Sequence, residues 1–424
     1  MTPTTAVLKL AIAVSACAAL ITGCSSTTPG TAKTAAAGPD SGANVALMDT
    51  GPYDTASSKP FGTVGDDAEG ANLLEAHRMA NFVVGPWEVD AELNKLPGAL
   101  SLGMIGPIPS IQIMRSNGVL KDDLIAIAEK HRFMTAFSTV RVAPETAGQP
   151  RSLHNLVLRF PDAADAEAAA AEMATTEASR PGQPPTEAVT IGNTPEARAT
   201  TSTRDGAVNV VSFTAHGPYL LYQQAQTAEA FLGTNAVNLV DGALISQKRR
   251  IDEFTPTEPA AMGDLPLDPS GQLLARTLVA PDGGAPFMIG VWNARGWLHF
   301  ELDPLQANAM FNTAGVDIVG QRLTTVYQAA NADGATRIVG GLVDQLENLP
   351  SVREVDGVKG LPAARCFQRT EGALPGTAAP TWQRVVWQFK CVASADRYAF
   401  TAFSADVTDV RQQMAAQYRI LAGQ

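Results

Sequence analysis

Residues 153 to 252 and 322 to 421 read as two copies of one unit, and this repeat limits the fold more than any other feature of the chain. Each copy opens on a strand, Asn155 to Phe160 or Leu323 to Tyr327. An Ala-rich helix follows, opened near Asp165 or Asp333. Then comes Pro-x-Ala-Arg, at Pro195 to Arg198 and at Pro362 to Arg365. A hairpin sets Val210-Val211-Ser212-Phe213 against Val386-Trp387-Gln388-Phe389, with return strands from Tyr219 and Tyr398. The closing helices match Val237, Val240, Leu244 and Ile251 to Val407, Val410, Met414 and Leu421, at helical spacing. The alternative is chance likeness of two α+β segments. Five motifs in the same order, with one insertion around Glu371 to Pro380, argue against it. The expectation is an α+β fold of two similar β-α-β-β-β-α units, each an antiparallel sheet with helices on one face.

The repeat bears on the cysteines. Cys366 aligns with Ala199 and Cys391 with Ala215, so both are alanine in the other copy. Two positions that change together are expected to touch. In an oxidising compartment a Cys366–Cys391 bridge would be the default, adding on the order of 3 kcal/mol. The five histidines, His77, His131, His154, His216 and His299, are far from this pair in sequence, and no metal-ligand spacing occurs.

The other two cysteines lie near the start. Leu10 to Ile21 is apolar and follows Lys9; it is too short to span a membrane, which takes about 20 apolar residues. Cys17 lies inside it and would leave with a cleaved signal. Ile21-Thr22-Gly23-Cys24 resembles the lipobox of bacterial lipoproteins, with the order aliphatic, small, small, Cys. That resemblance implies a diacylglycerol thioether on Cys24, cleavage before it, and a place on the extracytoplasmic face of the cell membrane. An ordinary secreted protein is the alternative. The Ser, Thr, Ala, Gly and Pro run up to residue 47 reads as a tether; about 20 such residues span roughly 25 Å. The expected divisions are a signal over 1–23, a tether over 24–47, a first α+β domain over 48–254, a Pro- and Gly-rich linker over 255–285, and a second α+β domain over 286–424.

Within the first domain, residues 71 to 84 read as a helix with Leu73, His77, Ala80 and Val84 on one stripe, ended by Gly85-Pro86. Residues 119 to 132 read as another, and Leu102 to Met114 as irregular. Phe287 to Trp292 and Trp297 to Leu302 read as a hairpin about Asn293 to Gly296.

The chain of 424 residues is 45% hydrophobic and 17% charged, which is globular, and its net charge of −11 argues against nucleic acid as a partner. No G-x-S-x-G elbow, H-E-x-x-H helix, P-loop or G-x-G-x-x-G turn occurs, so no catalytic residue and no cofactor is indicated. Asp66-Asp67 and Asp122-Asp123 read as caps or solvated faces. His299 and Glu301, two apart on one expected strand face beside Trp297, form the candidate polar site; the wet face of a hairpin is the plainer reading. His77 and the Met79–Trp87 stretch read as core. Arg198 and Arg365 recur in both copies, as anion ligands or, more plainly, as pins inside each copy.

The run from Leu73 to Asp90, with the lipobox and the two halves, resembles a family of large envelope lipoproteins from Mycobacterium, Nocardia and relatives. The resemblance implies an envelope location and no established activity. Three functions remain open: a non-enzymatic module binding a lipid or cell-wall component; an envelope hydrolase with dispersed catalytic residues; and a structural accessory of a membrane complex.

Overall fold

The computed structural model describes residues 42–144, 150–181, 183–228, 235–279, 288–377 and 380–423. Cys17, Cys24 and the lipobox lie outside them. The first half runs α1 (Ala68–Ala80), α2 (Pro86–Val89), β1 (Gly106–Ile108), α3 (Ile111–Ser116), α4 (Asp122–Lys130), β2 (Thr135–Val142), β3 (Arg151–Arg159), α5 (Ala163–Ala178), β4 (Glu187–Val189), β5 (Arg198–Arg204), β6 (Ala207–His216), β7 (Tyr219–Ala228) and α6 (Ala236–Ile251). The second runs β8 (Gly290–Asn293), α7 (Ala294–Trp297), α8 (Pro304–Ala314), β9 (Ile318–Gln321), β10 (Thr325–Gln328), α9 (Ala332–Glu347), β11 (Val352–Val355), β12 (Arg365–Arg369), α10 (Pro380–Val385), β13 (Phe389–Ala395), β14 (Tyr398–Ser404) and α11 (Val407–Ala422).

Each half is a seven-stranded antiparallel sheet, with orders β1-β2-β3-β7-β6-β5-β4 and β8-β9-β10-β14-β13-β12-β11. The two paths are the same, so the α+β repeat holds. It is also larger than its sequence motifs, because β1 and β2 match β8 and β9. The helices keep step: α5, α6, α9 and α11 are each 16 residues long. Asp162, Asn235, Asn331 and Asp406 cap them by accepting backbone N–H groups of the first turn. The hairpin turns need a left-handed residue at one shared position, filled by Gly217 (φ 54°) in one half and Asp396 (φ 50°) in the other.

The register fixes equivalences that motifs misplace. His216 pairs with Tyr219 and Ala395 with Tyr398, so Cys391 corresponds to Ser212, not to Ala215. Val386 and Trp387 precede β13 and are not its start. The disulfide itself is present: Cys366 and Cys391 face each other across β12 and β13, with Cα atoms 4.1 Å apart.

Helices cover both faces of each sheet rather than one. In the first half Leu156, Leu158, Val211, Phe213 and Tyr222 form an apolar core with α4 and α5. Leu153, Val157, Val210 and Leu221 pack on the other side with α6 and α1. In the second half Val326, Phe400 and Ala402 pack with Val410, Met414 and Leu421 of α11. The opposite face packs with α9 and is continuous with the α1/α6 core of the first half, so one buried cluster joins the two sheets.

Two segments pack where sequence reading places them elsewhere. Residues 44 to 58 lie on the second half, not with the first domain: Asn44 N–H donates to Gly360 O at 2.7 Å, Met48 packs with Leu361, and Tyr53 donates to Asp409 at 2.6 Å. The described part of the expected linker, residues 255–279, is built into the structure through Leu265, Leu273, Leu274 and Leu278, all buried; 280–285 lie outside the described residues. Its leucines, not its prolines and glycines, decide its state. Gly106-Pro107-Ile108, expected to be irregular, forms the edge strand β1, where the missing proline N–H costs nothing.

Candidate functional site

The expected hairpin after β8 does not form. Ala294–Trp297 is a helical turn, Leu298–Phe300 a tighter one, and Glu301 leaves it extended. The reason is tertiary. Gly296 lies against α1, where a Cβ would come within 3.3 Å of Ala80 Cβ, and a helical turn is what fits this approach. Trp297, His299 and Glu301 therefore do not share a wet strand face; all three are buried.

Of the three, His299 reaches across to the first half. The His299 ring sits between Phe137 and Trp87, with centroids 4.9 and 5.2 Å away. Its Nε2 faces Ala80 O at 3.3 Å, and its Nδ1 faces Thr139 Oγ1 at 3.0 Å. A carbonyl only accepts, so Nε2 carries the proton and Nδ1 accepts from the Thr139 hydroxyl. Burial pushes the imidazole down to about 4, which keeps it neutral. Glu301 turns to its own half, accepting from Trp297 Nε1 at 2.6 Å and Tyr327 Oη at 2.8 Å.

The residue missed by sequence reading is Arg141 on β2, fully buried. Its guanidinium donates to His299 O and Glu301 O, both at 2.8 Å, and to Asn94 O at 3.1 Å, and it lies 5.2 Å from the Trp87 ring. It thus satisfies carbonyls that the end of the helical turn leaves unpaired. Burial lowers it to about 9, partly offset by Glu301 and Asp303. No motif marks it, and its strand already carries Thr135, Ser138 and Thr139, so one more polar residue does not stand out.

A second buried pair tests hydrolase chemistry. Ser138 Oγ lies 2.8 Å from His154 Nε2. The Ser138 hydroxyl donates to Met104 O at 2.5 Å, so the imidazole must donate to Ser138 rather than accept from it. That is the reverse of nucleophile activation. His154 Nδ1 has no partner among the described residues, burial holds the ring down to about 4, and neither residue reaches solvent.

Open space occurs at the seam instead. A cleft of about 290 Å³ lies between α1, the 265–270 segment and the β8–β9 edge. Leu74, Leu265, Pro266, Val291 and Ile318 line it, with His77, Arg78, Ser270 and Asn293 as its polar groups. His77 stacks on Trp292 at 3.8 Å, which joins its helix to the second half. Arg78 donates to Glu75 and to Thr255 O at 3.1 Å. Glu75 is fully buried and also binds Arg159 at 2.5 Å, so this network fixes the wall of the cleft.

The remaining expected residues have local roles. Asp67 caps α1 through Gly70 N–H at 3.0 Å, and Asp122 pairs with Arg115 at 3.1 Å. Arg198 pairs with Glu167, and Arg365 with Glu354 and Glu347, each inside its own half. Among the described residues no three His, Cys, Asp or Glu side chains group to hold a metal, and no helix is long and apolar enough to cross a membrane.

No curated protein matches the chain. Among solved structures it is similar to the extracellular domain of PknH from Mycobacterium tuberculosis, at 10% identity and a TM-score of 0.28, over 42% of this chain and 97% of that one. Residues 62–267 match the N-terminal domain, and residues 273–424 the C-terminal domain, of the domain of unknown function DUF7373. The chain belongs to the DUF7373 family, of which it carries both halves.

Proposed function

We propose that this protein is a lipid-anchored binding module of the extracytoplasmic envelope, without catalysis of its own, and that its ligand is a small amphiphile seated in the seam cleft. The observation that carries this reading is the cleft: apolar walls from both halves, a few polar groups at the rim, and a size close to that of small-molecule sites. A lipid fragment or a lipid-linked cell-wall component has that chemistry. The hydrolase reading loses its best pair, because Ser138 and His154 are sealed and oppositely polarised. Cys24 carries the acyl anchor in this proposal.

Native mass spectrometry of the exported, purified protein tests the ligand. A bound amphiphile that disappears in Leu74→Trp, which fills the cleft, is the expected result. A protein that carries no ligand, or carries the same one in both forms, would sink the cleft reading. The acyl mass on Cys24 in the same spectra tests the anchor.

A further inference from the structure

We infer that the second half contains an anion-binding site, enclosed between α9, α10 and the sheet face formed by β10, β14 and β13. The two halves differ in character at four matched positions of the sheet. By strand register, Leu156, Leu158, Val211 and Tyr222 of the first half correspond to Thr325, Tyr327, Lys390 and Thr401 of the second. In the first half these positions form a sealed core under α5. In the second half the same positions line a chamber. Polar groups on a buried sheet face destabilise unless something satisfies them; the Thr325 hydroxyl donates to Gln321 and the Tyr327 hydroxyl to Glu301, which leaves Lys390 as the charged group of the floor.

The insertion points to the same place. In the first half the connection equivalent to β12–β13 is the tight turn Asp205-Gly206. In the second half residues 370 to 388 intervene and carry α10. The insert brings Arg384 and Val385 into the lining of the chamber, opposite Gln345 of α9. One half has thus acquired both a polar floor and a cationic roof, in a protein whose net charge is −11.

The charges in the chamber do not balance. Arg384 and Lys390 line it, and Arg369 is near enough to repel Lys390. Glu301 is the one carboxylate of the lining, and its Oε1 already accepts from Trp297 and Tyr327. Among the described residues none of the three cations forms an ion pair; Arg384 lies over the Trp297 ring at 5.2 Å and Arg369 over Trp387 at 4.8 Å. Burial pushes Lys390 down to about 8, with Glu301 opposing the shift and Arg384 and Arg369 adding to it, and burial lowers both arginines. Gln345 adds a donor: its Nε2 is buried and has no partner among the described residues. The enclosed space is about 20 Å³, room for one water-sized body. The ligand is therefore a single small anionic centre, either a halide or the oxygen tip of a carboxylate. This site is separate from the seam cleft and does not depend on it.

The test titrates the full-length protein with sodium bromide and with sodium acetate at fixed ionic strength. It follows the thermal midpoint and tryptophan emission, which bromide quenches on contact. Saturable effects are expected in the native chain, with apparent affinity reduced roughly ten-fold in Lys390→Met, as for loss of one charge-assisted hydrogen bond. Arg384→Gln sits on the insert, outside the sheet, and carries the test if Lys390→Met does not fold. Saturation by bromide alone assigns a bare ion; saturation by acetate as well assigns a carboxylate tip. No saturable effect in the native chain, or the same response in native and variant proteins, overturns the site.

Discussion

Gln247 of α6 and Gln417 of α11 occupy the same place in the two halves and make the same set of bonds. Gln247 Oε1 accepts from Val84 N–H and Asn155 Nδ2, both at 2.8 Å, and its Nε2 donates to Phe82 O at 2.8 Å. Gln417 Oε1 accepts from Leu278 N–H at 2.8 Å and from the Thr324 hydroxyl, and its Nε2 donates to Arg276 O at 2.8 Å. Asn155 and Thr324 are equivalent by register. Residues 276 to 278 are thus the counterpart of 82 to 84, and the second copy begins inside the Pro-rich stretch that reads as a linker.

Leucine at either glutamine leaves a buried backbone N–H without its acceptor. Gln247→Leu and Gln417→Leu should each cost about 1–3 kcal/mol in urea unfolding. The shared core makes a single transition the expectation, with both variants shifting it and the double variant adding the two costs. Two transitions, each moved by only one of the variants, would refute the shared core.

The disulfide joins neighbouring strands of the second sheet, whereas the first half has Ala199 and Ser212 at the matched pair. The first half therefore shows that this fold packs without the bridge. Cys366→Ala with Cys391→Ser should still fold, but lose on the order of 3 kcal/mol through the freed loop. A folded double variant with an unchanged unfolding midpoint would remove the bridge from the account of stability.

How much could be read from the sequence follows from what each residue pattern reports. The α+β repeat and its closing helices were legible because Val240 and Leu244, or Val410 and Met414, recur at helical spacing. The Cys366–Cys391 pair was legible from its place in the repeat, although the alignment slipped by three residues, because a hairpin motif does not reveal how far the preceding insert extends. The site was less legible. Trp297 to Leu302 alternates like a strand, yet Ala294–Phe300 folds as helical turns that bring Gly296 against α1. Arg141 and Lys390 gave no signal, since each matters through a neighbour distant in sequence.

Arg141 crosses from the first sheet to the carbonyls of His299 and Glu301, so its loss should weaken the joint between halves as well as local packing. Arg141→Met fills similar volume but strands the acceptors, which predicts about 3 kcal/mol of destabilisation. Hydrogen exchange should rise together at residues 298–301 and along β2. A rise confined to β2 would show that the helical turn stands without the arginine.

The two sealed imidazoles make stability fall in acid. His154 and His299 are both held down to about 4, from the ordinary imidazole value of 6.5, with burial as the main cause. Well above pH 6.5 both are neutral in the folded and unfolded states, so their titration does not change stability there. As pH falls from 6.5 toward 4 the unfolded chain takes up protons that the folded chain refuses. Each histidine then costs up to about 1.4 kcal/mol per pH unit, and the loss levels off below 4. The thermal midpoint should therefore drop steeply between pH 6 and 4, and His154→Gln should flatten that slope by about half while lowering stability at pH 7. A slope unchanged in His154→Gln would mean that the ring reaches water and titrates as an ordinary histidine.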